Sequence, residues 1–267
     1  MLYIVGTPIG NLKDVTLRAL ETLENADMIV CEDTRHSMPF LTNYDIRKPL
    51  SSYHKYNEKE ETPRLIELLK QGKNIALISD AGMPCISDPG SILVKAAREA
   101  GIEINVVPGP TAVTSAISLA GISDGFVFIG FLSDKTKVAE TQIRPFVDSP
   151  LSLVLYCSTH DLDETCKFLY ENLGDRKLTV VKELTKLHET VAVTTLSKGY
   201  DGNPKGEFVF IVEGKNANNS AITLTPLEHL KAYIEMGMTK KEAVKKVAEE
   251  RGVRKDDIYK IALELDK

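Results

Sequence analysis

The first 120 residues alternate between short apolar runs and longer segments in which apolar residues recur every three or four positions. The short runs predict buried strands, and the longer spacing predicts amphipathic helices. This repeated strand–helix order predicts a mainly parallel sheet with helices on both faces. The predicted strands are residues 2–5, 28–31, 74–78 and 104–107, and the predicted helices are residues 14–25, 62–72, 91–100 and 112–120.

Start signals precede two of these helices. Thr62 and Pro63 are a favoured pair, with threonine as N-cap and proline at the first helical position. Residues 108–110 read Pro-Gly-Pro, which breaks the chain. Thr111 can therefore cap the helix that follows.

In the second half of the chain the predicted strands lie closer together. They are residues 126–131, 151–156, 178–181, 191–195 and 208–212. Their short separations predict hairpins and a mixed sheet. The sequence thus predicts two α/β domains, residues 1–115 and 116–215, followed by a small helical tail at residues 221–267.

A polar, aperiodic stretch at residues 216–220 predicts a linker before the tail. Within the tail, Thr239 and Glu242 have the spacing of a capping box. The tail can be a packed cap, a dimer element or a helix-turn-helix-like contact to RNA. Its basic bias is slight, which favours an ordinary solvated face.

Composition and charge narrow the class of protein. The chain has 267 residues, 43% hydrophobic and 27% charged, which is typical of a soluble globular protein. Its net charge of −5 argues against a general nucleic-acid binder but leaves room for a local basic patch. No apolar run approaches ~18 residues and no signal-like segment opens the chain, so we expect no membrane span. Four cysteines without metal-ligand spacing indicate free thiols in a reducing cytoplasm.

The most informative segment is residues 79–90, Ser-Asp-Ala-Gly-Met-Pro-Cys-Ile-Ser-Asp-Pro-Gly, which follows a predicted buried strand. Two prolines stiffen this loop, while Gly82 and Gly90 allow a ligand close to the backbone. In α/β proteins ligands bind at the carboxyl ends of strands. The segment therefore predicts a site for a polar small molecule with amine and carboxylate groups, although an ordinary strand-to-helix connection has a similar composition.

Four further segments carry candidate chemistry. Residues 6–11, Gly-Thr-Pro-Ile-Gly-Asn, form a stiff loop in which two glycines flank a proline. The loop is neither a dinucleotide fingerprint nor a Walker loop. Residues 32–36, Glu-Asp-Thr-Arg-His, are either a reactive cluster or simply an acidic helix start. Residues 52–58 interleave aromatic and basic side chains, a combination that stacks on bases and holds phosphates. Residues 182–186 contain a Lys–Glu pair that is either functional or a surface ion pair.

Taken in order, these segments resemble the ribosomal RNA small subunit methyltransferase I family, the RNA-acting branch of the tetrapyrrole methylase superfamily. Any one motif is weak, whereas the ordered set is specific. The matching segments are residues 5–12, 16–20, 31–35, 52–54, 57–58, 79–90, 107–110, 130–132, 183–186, 188–189 and 205–208.

The resemblance implies a tetrapyrrole methylase-like fold, with a cleft between two α/β domains that binds S-adenosylmethionine without a metal. It also implies a cytoplasmic homodimer that methylates the ribose 2′-hydroxyl of a cytidine in the decoding centre of 16S rRNA, within the 30S subunit. The cofactor contacts it implies are Pro8, Asp80, Ala81, Gly82, Pro84, Ile86, Thr111, Ala112, Tyr156, Leu184, Lys205, Gly206 and Glu207. The substrate contacts we expect are Glu32, Asp33, Arg35, His36, Tyr53, His54 and Asn57.

A ribose hydroxyl is a poor nucleophile, so a group that accepts its proton should help the reaction. The sequence does not choose among the candidates, which are Glu32, Asp33, His54, Glu183 and Lys186. We prefer Lys186 and Glu183 acting jointly, with the pKa of Lys186 lowered by desolvation.

The sequence departs from the family at two places. Residues 157–161 replace the usual Pro-His-Arg and keep only His160, and residues 133–135 replace the usual Pro-Arg-Lys. Loss of these arginines weakens the expected RNA grip of the second domain. Two alternatives therefore stay open: a methyltransferase for a tetrapyrrole precursor, and a non-enzymatic module that binds a ribosomal partner.

Overall fold

The computed structural model describes residues 1–123, 125–159, 161–215, 224–251 and 253–266. Its first half is a five-stranded sheet in the order β3-β2-β4-β1-β5, and all its strand pairs are parallel. The predicted parallel sheet is therefore confirmed. Its strands are β1 (Leu2–Val5), β2 (Met28–Cys31), β3 (Leu50–Ser52), β4 (Ile75–Leu77) and β5 (Ile104–Val107).

Helices cover both faces of this sheet, because neighbouring residues on each strand point to opposite sides. Leu2, Ile4, Ile75 and Leu77 face one core and Val5, Ile29 and Ala76 face the other. The first core is closed by α3 (Glu58–Lys70) and α4 (Ser91–Glu99). The second core is closed by α1 (Leu17–Asn25) and α2 (Thr34–Asn43).

Two predicted helix starts are wrong. The helix expected from residue 14 is a 3-10 turn (Leu12–Asp14) followed by α1, because the Thr16 hydroxyl accepts from the Ala19 amide and caps the helix there. α3 begins at Glu58, so Pro63 lies inside it instead of opening it. Three acidic residues in its first turn favour this earlier start, and the Thr62 hydroxyl donates to the Glu58 carbonyl.

A second five-stranded sheet, in the order β6-β7-β10-β8-β9, forms the other half. Only β6 and β7 are parallel, so the predicted mixed sheet is confirmed. Two helices that the patterns did not predict, α6 (Thr136–Ile143) and α7 (Leu162–Leu173), cover one face. The strands are β6 (Phe126–Phe131), β7 (Ser152–Cys157), β8 (Lys177–Lys182), β9 (Thr190–Thr195) and β10 (Phe208–Val212).

The opposite face of the second sheet joins the two halves. There α5 (Ala112–Ala120), capped by Thr111 as predicted, packs on Val154, Val209 and Ile211. Ile9, from the loop after β1, enters the same apolar cluster. This packing holds the loops of the first sheet against the second sheet.

The tail consists of α8 (Pro226–Glu235), α9 (Lys240–Arg251) and α10 (Lys255–Ala262), which share an apolar cluster of their own. The predicted capping box at Thr239 and Glu242 is present, and Thr225 and Glu228 form another. The predicted linker at residues 216–220 lies outside the described residues, as does His160. No helix in the described ranges is long and apolar enough to cross a membrane.

Candidate functional site

Three loops meet at the carboxyl ends of β1, β4 and β5. Backbone hydrogen bonds join Thr7 and Gly82 in both directions, at 2.9 and 3.1 Å between nitrogen and oxygen. Gly6 lies against Gly109 so closely that a Cβ on Gly6 would come within 2.7 Å of the Gly109 Cα. These contacts fix the first loop between the Ser79–Gly90 loop and the Pro-Gly-Pro segment.

The Ser79–Gly90 loop has an unusual backbone. Cys85 and Ser87 adopt positive φ angles of 69° and 66°, a region that non-glycine residues seldom occupy. The loop is held at its end by the Gly90 amide, which donates to the Glu58 carboxylate at 2.8 Å. Backbone strain of this kind is found most often at ligand and catalytic sites.

A cavity of about 510 Å³ lies between these loops and the second sheet. Its first wall is formed by the loops after β1 and β4 and the start of α5. Its second wall is formed by the ends of β6, β7, β8 and β10 and the turns beside them. This volume is ordinary for a small-molecule site, and the cavity adjoins the loop at which the sequence predicts one.

Most of the implied cofactor contacts line the cavity. Three do not: Pro8 lines an adjoining cavity of about 300 Å³, Pro84 is buried within its loop, and Lys205 is exposed on the neighbouring turn. The implied contacts at the cavity are Asp80, Ala81, Gly82, Ile86, Thr111, Ala112, Tyr156, Leu184, Gly206 and Glu207.

Sequence reasoning missed about half of the lining. Ser87 and Asp88 belong to the loop it singled out, so their place in that loop could have found them. Phe131 packs against the Tyr156 ring, with centroids 5.3 Å apart, and no local motif marks this contact. The other missed residues are Ile9, Met83, Cys157, Ser158, Thr159, Val181, Phe208 and Val209.

Carboxyl groups at and beside the first wall have perturbed pKa values. Burial, then repulsion from Glu32 and Asp80, raises the pKa of Asp88 to about 7. Burial and the Asp80 charge likewise raise the pKa of Glu32. Asp80 itself accepts from the Asp33 amide and contacts the His36 Nδ1 at 3.0 Å. That bond to Asp80 raises the pKa of His36.

The second wall carries an ion-paired group. The Lys186 ammonium lies 3.0 Å from Glu183 and 2.9 Å from Glu207. Burial alone lowers the pKa of Lys186, but the hydrogen bonds to Glu207 and Glu183 outweigh it, so the pKa is raised. The expected lowered pKa is therefore wrong, because the sequence did not show that two carboxylates contact one ammonium. Lys186 is a fixed cation at neutral pH.

Two expected substrate contacts, Tyr53 and Asn57, are occupied inside the protein. The Tyr53 side chain is 1% exposed, and its hydroxyl shares a 2.8 Å hydrogen bond with Thr62. The Asn57 amide accepts from the His54 backbone and donates to the Ser52 carbonyl. These contacts stabilise the loop before α3, and burial keeps the Tyr53 side chain away from a ligand, whereas Asn57 stays partly exposed.

The remaining expected substrate contacts are partly or fully exposed. Arg35 forms a bidentate pair with Asp33 at the start of α2, which holds the pKa of Asp33 well below its usual range. The centroids of the His54 and Tyr56 rings are 6.1 Å apart. Tyr56 is 84% exposed, and the Lys55 ammonium lies 4.9 Å from the centroid of its ring. The exposed aromatic side chain of this segment is thus Tyr56.

Comparison with known proteins places the chain among methyltransferases. Residues 1–198 match the model of the tetrapyrrole (corrin/porphyrin) methylases. The ribosomal RNA small subunit methyltransferase I of Halalkalibacterium halodurans is 41% identical, over 97% of this chain and 93% of the relative. That of Haemophilus influenzae is 42% identical, over 98% and 96%. The crystal structure of the methyltransferase CobJ has the same fold, with a TM-score of 0.62 and 20% identity over 80% of this chain and 94% of that chain.

Proposed function

The chain belongs to the ribosomal RNA small subunit methyltransferase I family, within the tetrapyrrole methylases, and on this premise we propose that it is an rRNA methyltransferase. In full, the proposed reaction transfers the methyl group of S-adenosylmethionine to the ribose 2′-hydroxyl of a cytidine in the decoding centre of 16S rRNA. The acceptor is the 30S subunit, and the enzyme acts as a cytoplasmic homodimer.

The observation that carries the proposal is the match between the 510 Å³ cavity and the chemistry of S-adenosylmethionine. The cofactor has a sulfonium and an ammonium, and the cavity offers the carboxylates of Asp80 and Glu207. Apolar side chains on both walls, among them Ile86 and Val209, suit the adenosyl group. The residues present therefore fit this cofactor.

The amino-acid part of the cofactor needs a partner for its own carboxylate. The first turn of α5 borders the cavity at Thr111 and Ala112. Free backbone amides at a helix start bind anions. We assign the cofactor carboxylate to this helix start.

S-adenosylmethionine, when bound, supplies a methyl group already activated by its sulfonium. What remains for the protein is to align the acceptor hydroxyl with this group and to exclude water. The strained Ser79–Gly90 loop and the joined loops of the first sheet form a rigid first wall for that purpose. Lys186 and Glu183, held in an ion pair, position Glu207 at the cavity and do not remove the proton.

We place the RNA beside the first wall, at the carboxyl ends of β2 and β3. Arg35 and Lys55 are exposed cations there, and Tyr56 is an exposed ring on which a base can stack. Glu32, Asp33, His36 and His54 lie in the same two segments. The exposed cations and the Tyr56 ring suit an RNA ligand despite the net negative charge of the chain.

The test is methyl transfer from labelled S-adenosylmethionine to 30S subunits that lack the modification, with the product nucleoside mapped by mass spectrometry. We expect 2′-O-methylcytidine at the decoding centre, and no incorporation into fully modified subunits. Free 16S rRNA serves as a parallel acceptor to show whether the assembled subunit is needed. Methylation of another position would disprove the substrate assignment.

Calorimetry with S-adenosylmethionine separates the two alternatives. Cofactor binding without transfer to any RNA, but with transfer to a tetrapyrrole precursor, would identify a small-molecule enzyme. Absence of cofactor binding would indicate a module that keeps the fold without the reaction.

A further inference from the structure

Asp88 is a cavity carboxylate for which the proposed reaction has so far named no specific task. We propose that Asp88 accepts the proton of the hydroxyl that becomes methylated. This role rests on the proposed methyl transfer, and it concerns a residue that the sequence motifs did not single out.

The position of Asp88 joins the cofactor cavity to the side where RNA is expected. Asp88 lines the cavity, and its charge acts on Tyr156 of the second wall. The charges of Glu32 and Asp80, which follow β2 and β4, also act on Asp88. Asp80 in turn borders both the cofactor cavity and the smaller cavity beside α2. Asp80 is also bonded to Asp33 and His36, two of the expected RNA contacts, so the proposed RNA surface reaches the cavity beside a group whose charge acts on Asp88.

The Asp88 carboxylate is free to receive a proton. Within the described part of the chain, no hydrogen-bond donor or cation contacts it. Asp80, by contrast, is bonded to His36 and to the Asp33 amide, and Glu207 is paired with Lys186. Glu32 does not line the cavity, and Lys186 is already protonated at neutral pH. Asp88 is therefore the best-placed acceptor among the candidate groups.

The loop holds Asp88 in a defined place. Ser87 precedes it with a positive φ, and the Ser87 hydroxyl lies where a Cβ on Gly130 would come within 2.9 Å. Gly90 follows and is tied to Glu58 at 2.8 Å. A carboxylate fixed on both sides needs little reorganisation during the reaction.

The groups around Asp88 also determine the pH range in which it can accept a proton. Four of the described titratable groups interact electrostatically with Asp88. They are Glu32, Asp80 with its partner His36, Cys85 and Tyr156. Burial and the neighbouring carboxylates raise the pKa of Asp88 to about 7. A base with a pKa near the working pH combines availability with proton affinity.

The step balances without another reactant. The ribose oxygen forms its bond to the methyl carbon, the electron pair of the carbon–sulfur bond goes to sulfur, and the hydroxyl proton goes to an Asp88 carboxylate oxygen. Solvent removes that proton after the product leaves.

The test compares Asp88→Asn with Asp163→Asn, an exposed carboxylate on α7, and with Asp88→Glu. We expect the single-turnover rate on 30S subunits to fall about 100-fold or more in Asp88→Asn. Calorimetric affinities for S-adenosylmethionine and its demethylated product should change less than about threefold. The wild-type rate should fall with decreasing pH below about 7, and Asp88→Asn should lose this inflection. Asp88→Glu should recover part of the rate, and Asp163→Asn should match the wild type.

An unchanged rate or an unchanged pH profile in Asp88→Asn would overturn the inference. So would a loss confined to cofactor affinity, because Asp88 would then only neutralise the cofactor cation. If the wild-type protein transfers no methyl group to 30S subunits, the proposed function fails and this inference fails with it. Wild-type activity together with an active Asp88→Asn variant refutes the inference alone.

Discussion

The two walls of the cavity both carry carboxylates, but they differ in what neutralises them. On the first wall, burial and the charges of Glu32 and Asp80 raise the pKa of Asp88, and Asp80 itself contacts His36. On the second wall Glu183 and Glu207 share the ammonium of Lys186. Among the described residues, the first wall therefore carries one uncompensated carboxylate, Asp88, whereas both carboxylates of the second wall are balanced by contact with an ammonium.

This difference indicates separate tasks. A balanced group changes its charge little when a ligand binds, so it can serve as a fixed support. An uncompensated group gains most from a cationic ligand and can exchange protons near neutral pH. We infer that the chemistry takes place at the first wall and that the second wall shapes the cavity. Variants at each wall can test this division.

The largest expected effect comes from disturbing the contact between the walls at Gly10. A Cβ there would lie 2.5 Å from the Leu184 carbonyl oxygen and 2.7 Å from the Lys186 Cγ, so the walls must move apart. We expect Gly10→Ala to lower the free energy of unfolding by about 1–3 kcal/mol, as overpacking does, and to weaken S-adenosylmethionine binding. Urea unfolding and calorimetry measure the two effects.

Gly72→Ala is the control for Gly10→Ala. Gly72 has a φ of 86° and open space around its Cβ position, so alanine there adds backbone strain without a collision. It should lose stability but keep cofactor affinity. Equal loss of affinity in both variants would show that the wall contact is unimportant.

A smaller effect is expected on the pH dependence of stability, to which Asp88 on the first wall should contribute. The pKa of Asp88 is about 7 in the folded protein against an ordinary value of 3.8, so between these pH values the folded state holds the proton more tightly than the unfolded chain. The stability this group contributes is present below pH 3.8 and is lost as the pH rises through about 7. Asp88→Asn cannot ionise and should be more stable than the wild type at pH 8, by about 1–2 kcal/mol after allowing for solvent screening.

Urea unfolding at pH 4 and pH 8 measures this difference, which should nearly vanish at pH 4. Asp163→Asn should show the same small change at both pH values. A pH-independent gain in Asp88→Asn would mean that Asp88 does not ionise in this range.

The smallest effect is expected at the balanced wall. Lys186→Met leaves Glu183 and Glu207 without their shared cation. It should lower the free energy of unfolding by about 1 kcal/mol, because the Lys186 side chain is only partly buried. Lys177→Met is the matched control. The Lys177 ammonium lies 2.7 Å from the Glu213 carboxylate, and neither residue lines the cavity. It should cost less than about 0.5 kcal/mol. Thermal unfolding of the two variants compares their losses of stability. Equal losses would show that the Lys186 ion pairs stabilise the protein no more than an ordinary surface pair does.

The predictable parts of the molecule were those fixed by local sequence. Apolar runs located four of the five strands of the first sheet and missed only the short β3, and the strand before Ser79 located one wall of the cavity. Thr111 identified the start of α5 because a cap needs only its own next three residues. These features depend on neighbours in the chain, which the sequence displays directly.

Features that depend on distant residues were not predictable. Tyr53 lies in a polar segment but is buried by Thr62 and the first core, and Asn57 is used by the backbone of its own loop. The pKa of Lys186 was predicted in the wrong direction because Glu207 lies 21 residues further along the chain. Phe131 and Tyr156 meet only after β6 and β7 pair. Each of these outcomes needs the tertiary structure.

The strand order of the first sheet also has a consequence for how the protein is made. β1 is synthesised first, yet its partners are β4 and β5, where Leu2 pairs with Ile75 and Ile104. At a synthesis rate of roughly 5–20 residues per second, β1 waits on the order of 5–20 s for its second partner. Contacts that are so distant in sequence also form slowly. The loops of the first wall therefore cannot take their final arrangement until residues 82 and 109, which contact Thr7 and Gly6, have been synthesised.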